Sequence, residues 1–239
     1  MSRPTPDLST ERRLFRQGAT SVAGIDEVGR GAWAGPVSVG IVLIADATTP
    51  PPHGLRDSKL LSAKERERLA PLVVGWAATA AVGHATPLEC DQLGMRAAIA
   101  LAASRAMELL DHVPDAVIVD GPLDLLFPES LALAAAVATH RWRSSPPRRV
   151  EAVVKADQTC ATVSAASVLA KVERDAQMRA LAESFPAFEL ERNVGYPSAA
   201  HQTALRGYGL TTLHRRSWKY TEMIPWERSV DHVRPGSRR

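Results

Sequence analysis

Cysteine is scarce in this chain, and its two copies, Cys90 and Cys160, fall in segments that read as helical rather than in metal-ligand spacing. A disulfide framework is thereby excluded, and two reduced core thiols remain. Long apolar runs are missing as well: none approaches the ~20 residues that a membrane helix requires. The N-terminus also lacks the basic-then-apolar order of a secretory leader. These absences predict a cytoplasmic protein with no membrane partner. What is present is globular material, 239 residues that are 45% hydrophobic and 23% charged, enough for one domain with a real core.

The formal net charge is +3 with a pI near 9.1, which permits a polyanionic partner without demanding one. Distribution says more. Basic residues gather at Arg141, Arg143, Arg148 and Arg149, then at Arg206, Arg215, Arg216 and Lys219, and finally at Arg234, Arg238 and Arg239. The second group is interleaved with Tyr196, Tyr208, His214 and Trp218, and aromatics among cations suit a sugar-phosphate surface.

In chain order, residues 1–18 are polar and proline-bearing and read as a flexible segment, with a short helix hinted only around Glu11 to Phe15. Ser21 to Ile25 and Val37 to Ala45 read as two strands of a hairpin. Three consecutive prolines near residue 50 then mark a loop. Ser62 and Glu65 match a capping box, which predicts a helix from Ala63 to about Val73. Trp76 to Ala85 reads as a third strand, Pro87–Leu93 and Met95–Leu110 as helices, and Ala116 to Val119 as a buried strand. Residues 131–139 are helical in composition, and 140–149 form an arginine-rich loop. A short strand at Ala152 to Val154 precedes a helix of small residues from Ser164 to Asp175, with another helix from Ser198 to Leu205. The expected plan is a body over residues 19–220 with a helical part from about 186, followed by a basic tail over 221–239.

The stretch from Gly24 to Pro36 organises this plan. Asp26 and Glu27 follow a short apolar run and precede a turn containing Gly29, Arg30 and Gly31. Side chains alternate along a strand, so the two acids leave on opposite faces unless the chain bends after them. Flexible glycines admit a close ligand, and arginine supplies a fork that matches phosphate. The pattern of apolar strand, carboxylate and glycine repeats at Asp120 and Gly121. If the two strands lie parallel as neighbours, Asp26 and Asp120 meet at their carboxyl ends, where sites of open α/β sheets form. Asp157 follows a third short apolar run. Pooled carboxylates need cations or protons to compensate them, and an all-oxygen set suits magnesium or manganese.

The motif GIDEVGRGAWAGPV resembles the opening motif of the ribonuclease HII family. Further resemblances are the Asp57-Ser58-Lys59 segment, the Asp120-Gly121 pair, Lys155-Ala156-Asp157 followed by the Ser164–Asp175 run, Gly195-Tyr196-Pro197, and His214-Arg215-Arg216-Ser217-Trp218. The family usually has glycine where Ala156 stands and phenylalanine where Trp218 stands. The likeness spans roughly residues 21–219. It implies an α/β, ribonuclease H-like fold with a mixed central sheet flanked by helices and a small C-terminal helical extension. It also implies an endoribonuclease acting as a monomer on RNA–DNA hybrids and on duplex DNA containing ribonucleotides. Asp26, Glu27, Asp120 and Asp157 would be its catalytic acids, holding two Mg2+ or Mn2+ ions. Gly29, Arg30 and Gly31 would read the 2′-hydroxyl, Lys59 would lie beside the site, and Tyr196 would stack on the next deoxyribose. A hybrid-binding protein that does not cut, or another nuclease of the ribonuclease H fold, are the alternatives.

Overall fold

A computed structural model describes residues 5–121 and 146–224. Five strands form one sheet: β1 (Val22–Val28), β2 (Val37–Ile44), β3 (Thr79–Ala85), β4 (Ala116–Asp120) and β5 (Arg149–Val153), in the spatial order β3-β2-β1-β4-β5. The hairpin β1–β2 and the pair β2–β3 are antiparallel, whereas β4 and β5 run parallel to β1. The sheet is therefore mixed and covered by helices on both faces, which agrees with the α/β reading. Every residue of β2 is buried, as expected of a strand whose sequence is an almost unbroken apolar run.

The helices are α1 (Ser9–Arg16), α2 (Ala63–Trp76), α3 (Pro87–Leu93), α4 (Met95–Glu108), α5 (Ala156–Thr159), α6 (Ala161–Ala182), α7 (Leu190–Asn193) and α8 (Ala199–Tyr208). One core lies between the sheet and α4, built on Ile25, Ile41, Leu101 and Val119. The other lies between the sheet and α1, α2 and α6, built on Leu14, Val42, Leu69, Ile118 and Val168. A third cluster, around Phe188, Leu205 and Tyr220, anchors the C-terminal helical part. The small residues of α6 allow it to lie against the strands: a Cβ on Gly40 would stand 2.3 Å from the Ala166 carbonyl oxygen. That closeness matters because α6 also faces the site. The predicted capping box at Ser62–Glu65 is complete, and a second one, at Thr86–Glu89, closes the start of α3.

Some boundaries differ from the sequence reading. The start of the chain is not loose where it is described: Ser9–Arg16 is a helix with Leu8, Glu11 and Leu14 buried, because Glu11 finds a specific partner at the start of α6. Trp76 ends α2 instead of opening β3, since the Ala77 N–H still donates to the Val73 carbonyl. Cys90 is helical, but Cys160 is an extended N-cap residue of α6; both are buried and free. The helical stretch read at 131–139, most of the arginine-rich loop and the end of the basic tail lie outside the described residues. Among the described residues, no helix is long and apolar enough to cross a membrane.

Candidate active site

The register of the sheet assembles the acids. β1 pairs with β4 from Val22↔Ala116 to Ile25↔Val119, so the next residues on the two strands, Asp26 and Asp120, stand side by side at the carboxyl edge. On the other side Asp120 pairs with Val153 of β5. The chain then turns sharply through Lys155, which adopts φ 58° and ψ 41° in the left-handed region. This turn starts α5, and the Ala156 N–H donates to Asp120 Oδ1 at 2.9 Å. Asp157, the next residue, is only 2% exposed. Because Lys155 and not Ala156 carries the left-handed angle, alanine in the position where glycine is usual imposes no backbone strain.

Asp26 and Glu27 need no bend to reach a common cleft. β1 continues to Val28, still paired with Ser38 of β2, but its pairing with β4 ends at Ile25. The open edge beyond that point lets both faces of β1 border one cleft of about 520 Å³, lined by Asp26, Glu27, Arg30, Lys59, Asp120 and Tyr196 among others. Gly29 and Gly31 line it too. Asp157 lies behind this wall, with Lys59 Nζ 3.1 Å from its Oδ2. Glu27 Oε1 is 3.8 Å from Arg30 Nη1.

The electrostatics are those of under-compensated acid. Burial raises the Asp26 pKa to about 7, against a hydrogen bond from Ser167, while the charges of Glu27 and Asp157 push it further upward. Burial also raises Glu27, with Arg30 opposing and Asp120 adding to the rise. Asp120 is raised by burial and by Asp157, in spite of the Ala156 N–H. Partial burial works against the Lys59 ammonium, yet its hydrogen bond to Asp157 and the neighbouring acids hold its pKa above the ordinary lysine value. The donor set is all carboxylate, which fits a hard divalent ion. Among the described residues no three acid, histidine or cysteine side chains form a ready ligand set. Two oxygens are committed elsewhere, to Lys59 and to Ala156. Magnesium sites commonly use one or two carboxylates with substrate phosphates completing the shell, and such a site matches acids that are close but not yet convergent.

Opposite the acids stand two loops fastened to each other. The Gly195 carbonyl accepts from the N–H groups of Trp33 and Ala34, at 2.8 and 3.1 Å. Arg174, with no exposed surface, donates to the carbonyls of Pro36, Val194 and Ala34. Arg215 donates to those of Arg30 and Gly35. Gly29 is at φ +86°, and a Cβ there would meet Arg174 Nε at 2.3 Å; only glycine fits this turn over the buried guanidinium. Tyr196 is half-buried, although the glycine and proline that flank it, Gly195 and Pro197, favour an exposed loop tip. Its ring centroid is 5.4 Å from Lys171 Nζ and 5.5 Å from the Arg174 guanidinium carbon.

Ser58, Ser167 and Lys171 also line the cleft and were not singled out by the sequence. The Ser58 and Ser167 hydroxyls are 2.7 Å apart. Small residues on a packed helix are sufficiently explained by packing, which hid Ser167. Its signal was the recurrence of polar Ser164, Ser167 and Lys171 at helical spacing on the side of α6 that also carries the site.

A family model described as Ribonuclease HII matches residues 23–221. A ribonuclease HII of Streptomyces avermitilis is 44% identical over 231 residues, 96% of this chain and 91% of that protein. One of Ruegeria is 40% identical over 222 residues, 93% of this chain and 88% of that protein. Among solved structures, the ribonuclease H2 of Pyrococcus horikoshii is similar with a TM-score of 0.65 and 28% identity, covering 85% of this chain and 96% of that one.

Proposed function

The chain belongs to the ribonuclease HII family and is a ribonuclease H endonuclease, and from that premise we propose that it nicks duplex DNA on the 5′ side of an embedded ribonucleotide as well as cutting longer hybrids. The products would carry 3′-hydroxyl and 5′-phosphate ends. Enzymes of this family act on RNA–DNA hybrids and depend on divalent metal ions. The observation that carries the reading is the register that sets Asp26 beside Asp120 at the end of parallel strands, with Glu27 and Asp157 nearby.

Asp26, Glu27, Asp120 and Asp157 would hold the metal, Mg2+ or Mn2+, in a two-ion site. When bound, the ions would supply activation of water and stabilisation of the leaving oxygen. The chain's own residues do the rest. Ser167 fixes the Asp26 carboxylate, and the Ala156 N–H fixes that of Asp120. Lys59 holds Asp157 until phosphate arrives, and its mostly exposed ammonium then serves the substrate backbone. The backbone groups of Gly29, Arg30 and Gly31 read the 2′-hydroxyl, which both donates and accepts. Tyr196 stacks on the following sugar, which lacks it, so that the two loops register an RNA-to-DNA step.

The test is cleavage of a duplex carrying one ribonucleotide, with magnesium, with manganese and with chelator, by the wild type and by Asp120→Asn. Metal-dependent nicking at the ribonucleotide, lost in the variant while hybrid binding persists, supports the assignment. Undiminished cutting by Asp120→Asn refutes it.

A further inference from the structure

Two buried histidines behind Tyr196 play no part in the chemistry described so far. His201 is unexposed and His214 is 2% exposed. Their Nε2 atoms are 2.9 Å apart. At one end of the pair, His214 Nδ1 accepts from the Thr211 N–H at 3.0 Å, and the Thr211 hydroxyl lies 2.9 Å from the same nitrogen. At the other end, His201 Nδ1 is 2.9 Å from the Tyr196 carbonyl oxygen.

The two end groups dictate where every proton sits. The hydroxyl can serve as donor or acceptor but a backbone N–H only donates, so the N–H decides: His214 Nδ1 is bare and its proton is on Nε2. That Nε2–H points at His201 Nε2, which must then be bare. The remaining proton of His201 is therefore on Nδ1, where it meets a carbonyl that only accepts. One pair of neutral tautomers satisfies all three contacts, and a second proton on either ring would set N–H against N–H. Burial accordingly lowers both pKa values, His214 to about 3.

The far end of this chain is tied to the ribose-reading loop. Ala34 and His214 form an isolated antiparallel bridge, the Gly35 N–H donates to the Leu213 carbonyl, and the Arg215 N–H donates to the Trp33 carbonyl. We infer that His201 and His214 are positioning residues that set the place of Tyr196 relative to the Gly29–Gly31 turn, and so set the enzyme's preference for an RNA-to-DNA junction over a uniform hybrid. The inference rests on the proposed role of Tyr196 as the sensor of the second sugar.

The measurement is the ratio of kcat/KM for a single-ribonucleotide duplex to that for a uniform RNA–DNA hybrid. His201→Leu removes the donor to Tyr196 and is expected to lower the ratio by about five- to tenfold, with hybrid cleavage nearly unchanged. His201→Asn keeps an N–H near the Nδ1 position and is expected to stay within about twofold of the wild type. An unchanged ratio in His201→Leu overturns the inference, as do equal losses on both substrates in the two variants. Tyr196→Ala is the control: if it leaves the ratio unchanged, the sensor role itself fails and the inference falls with it. Independently of any variant, 15N NMR of the wild-type imidazoles at neutral pH should find the proton on Nδ1 of His201 and on Nε2 of His214. The reverse assignment, or a charged ring, overturns the inference.

Discussion

Ser58 and Ser167 hold their hydroxyls 2.7 Å apart beneath Asp26. One comes from the turn that presents Lys59, the other from the second turn of α6, so the pair links two sides of the cleft to a single carboxylate. Ser167 also bonds Asp26 directly. On the proposed role of Asp26 as a metal ligand, removal of such an outer partner costs about tenfold or more in metal affinity or activity. Ser167→Ala is expected to raise the half-saturating magnesium concentration by about that factor. Since the lost bond lowers the Asp26 pKa, the rising limb of the pH–rate profile should also move to higher pH. An unmoved profile would mean that Ser167 only packs.

Asp26 gives the metal-free protein an unusual pH dependence. Burial pushes its folded pKa up to about 7, from an ordinary aspartate value of 3.8. Between those values the folded state holds a proton that the unfolded state has released, so this group's contribution to stability falls as pH rises. Thermal unfolding in chelator should therefore show a lower Tm at pH 8 than at pH 5.5. Magnesium at pH 8, or the Asp26→Asn substitution, should recover much of the difference. A Tm difference identical in Asp26→Asn and wild type would assign the effect to other groups.

Glu11 is expected to matter for stability and not for chemistry. Its Oε1 accepts from both the Thr162 N–H and the Thr162 hydroxyl, at 2.9 and 2.8 Å, near the first turn of α6. Glu11→Ala leaves that buried N–H without a partner and removes a helix cap, a loss of about 2 kcal/mol. Urea unfolding should register the loss, while kcat per folded molecule stays close to the wild-type value.

Arg174 spans three carbonyls from two loops. Arg174→Lys retains the charge but lacks the planar fork, and at least one buried carbonyl is left unmatched. A destabilisation of about 3 kcal/mol is expected, together with a larger loss on single-ribonucleotide duplexes than on uniform hybrids. Denaturant titration reads the first, and paired kinetics the second.

The strands, the hairpin and the carboxyl-edge meeting of Asp26 with Asp120 were legible because each is written in local pattern: an apolar run, then an acid, then glycine. The α2 start was legible for the same reason, through Ser62 followed by Glu65, and the α3 start through Pro87 at its first position. What was not legible depends on partners remote in sequence. α1 looked loose because its eight residues are too few to hold a helix alone; Leu14 and Glu11 are ordered by the core and by Thr162, which lie far along the chain. The place of Tyr196 likewise depends on partners remote in sequence. Gly195 and Pro197 suggested an exposed tip, but buried Arg174 and the Trp33 and Ala34 amides draw the loop inward. Ser58, Ser167, His201 and His214 carried ordinary local explanations, and only the packed molecule brings them into chains of hydrogen bonds.

The two loops that share the Gly195 carbonyl face the cleft with main-chain groups, glycines, one aromatic ring and the Arg30 guanidinium, which lies 3.8 Å from Glu27. On the proposed reading those groups meet sugar and phosphate, and the guanidinium stays beside the Glu27 carboxylate. In that role such a surface would tell one pentose from another before it told adenine from uracil, so its choice of cutting position would follow the chemistry of the backbone more than the genetic text written upon it.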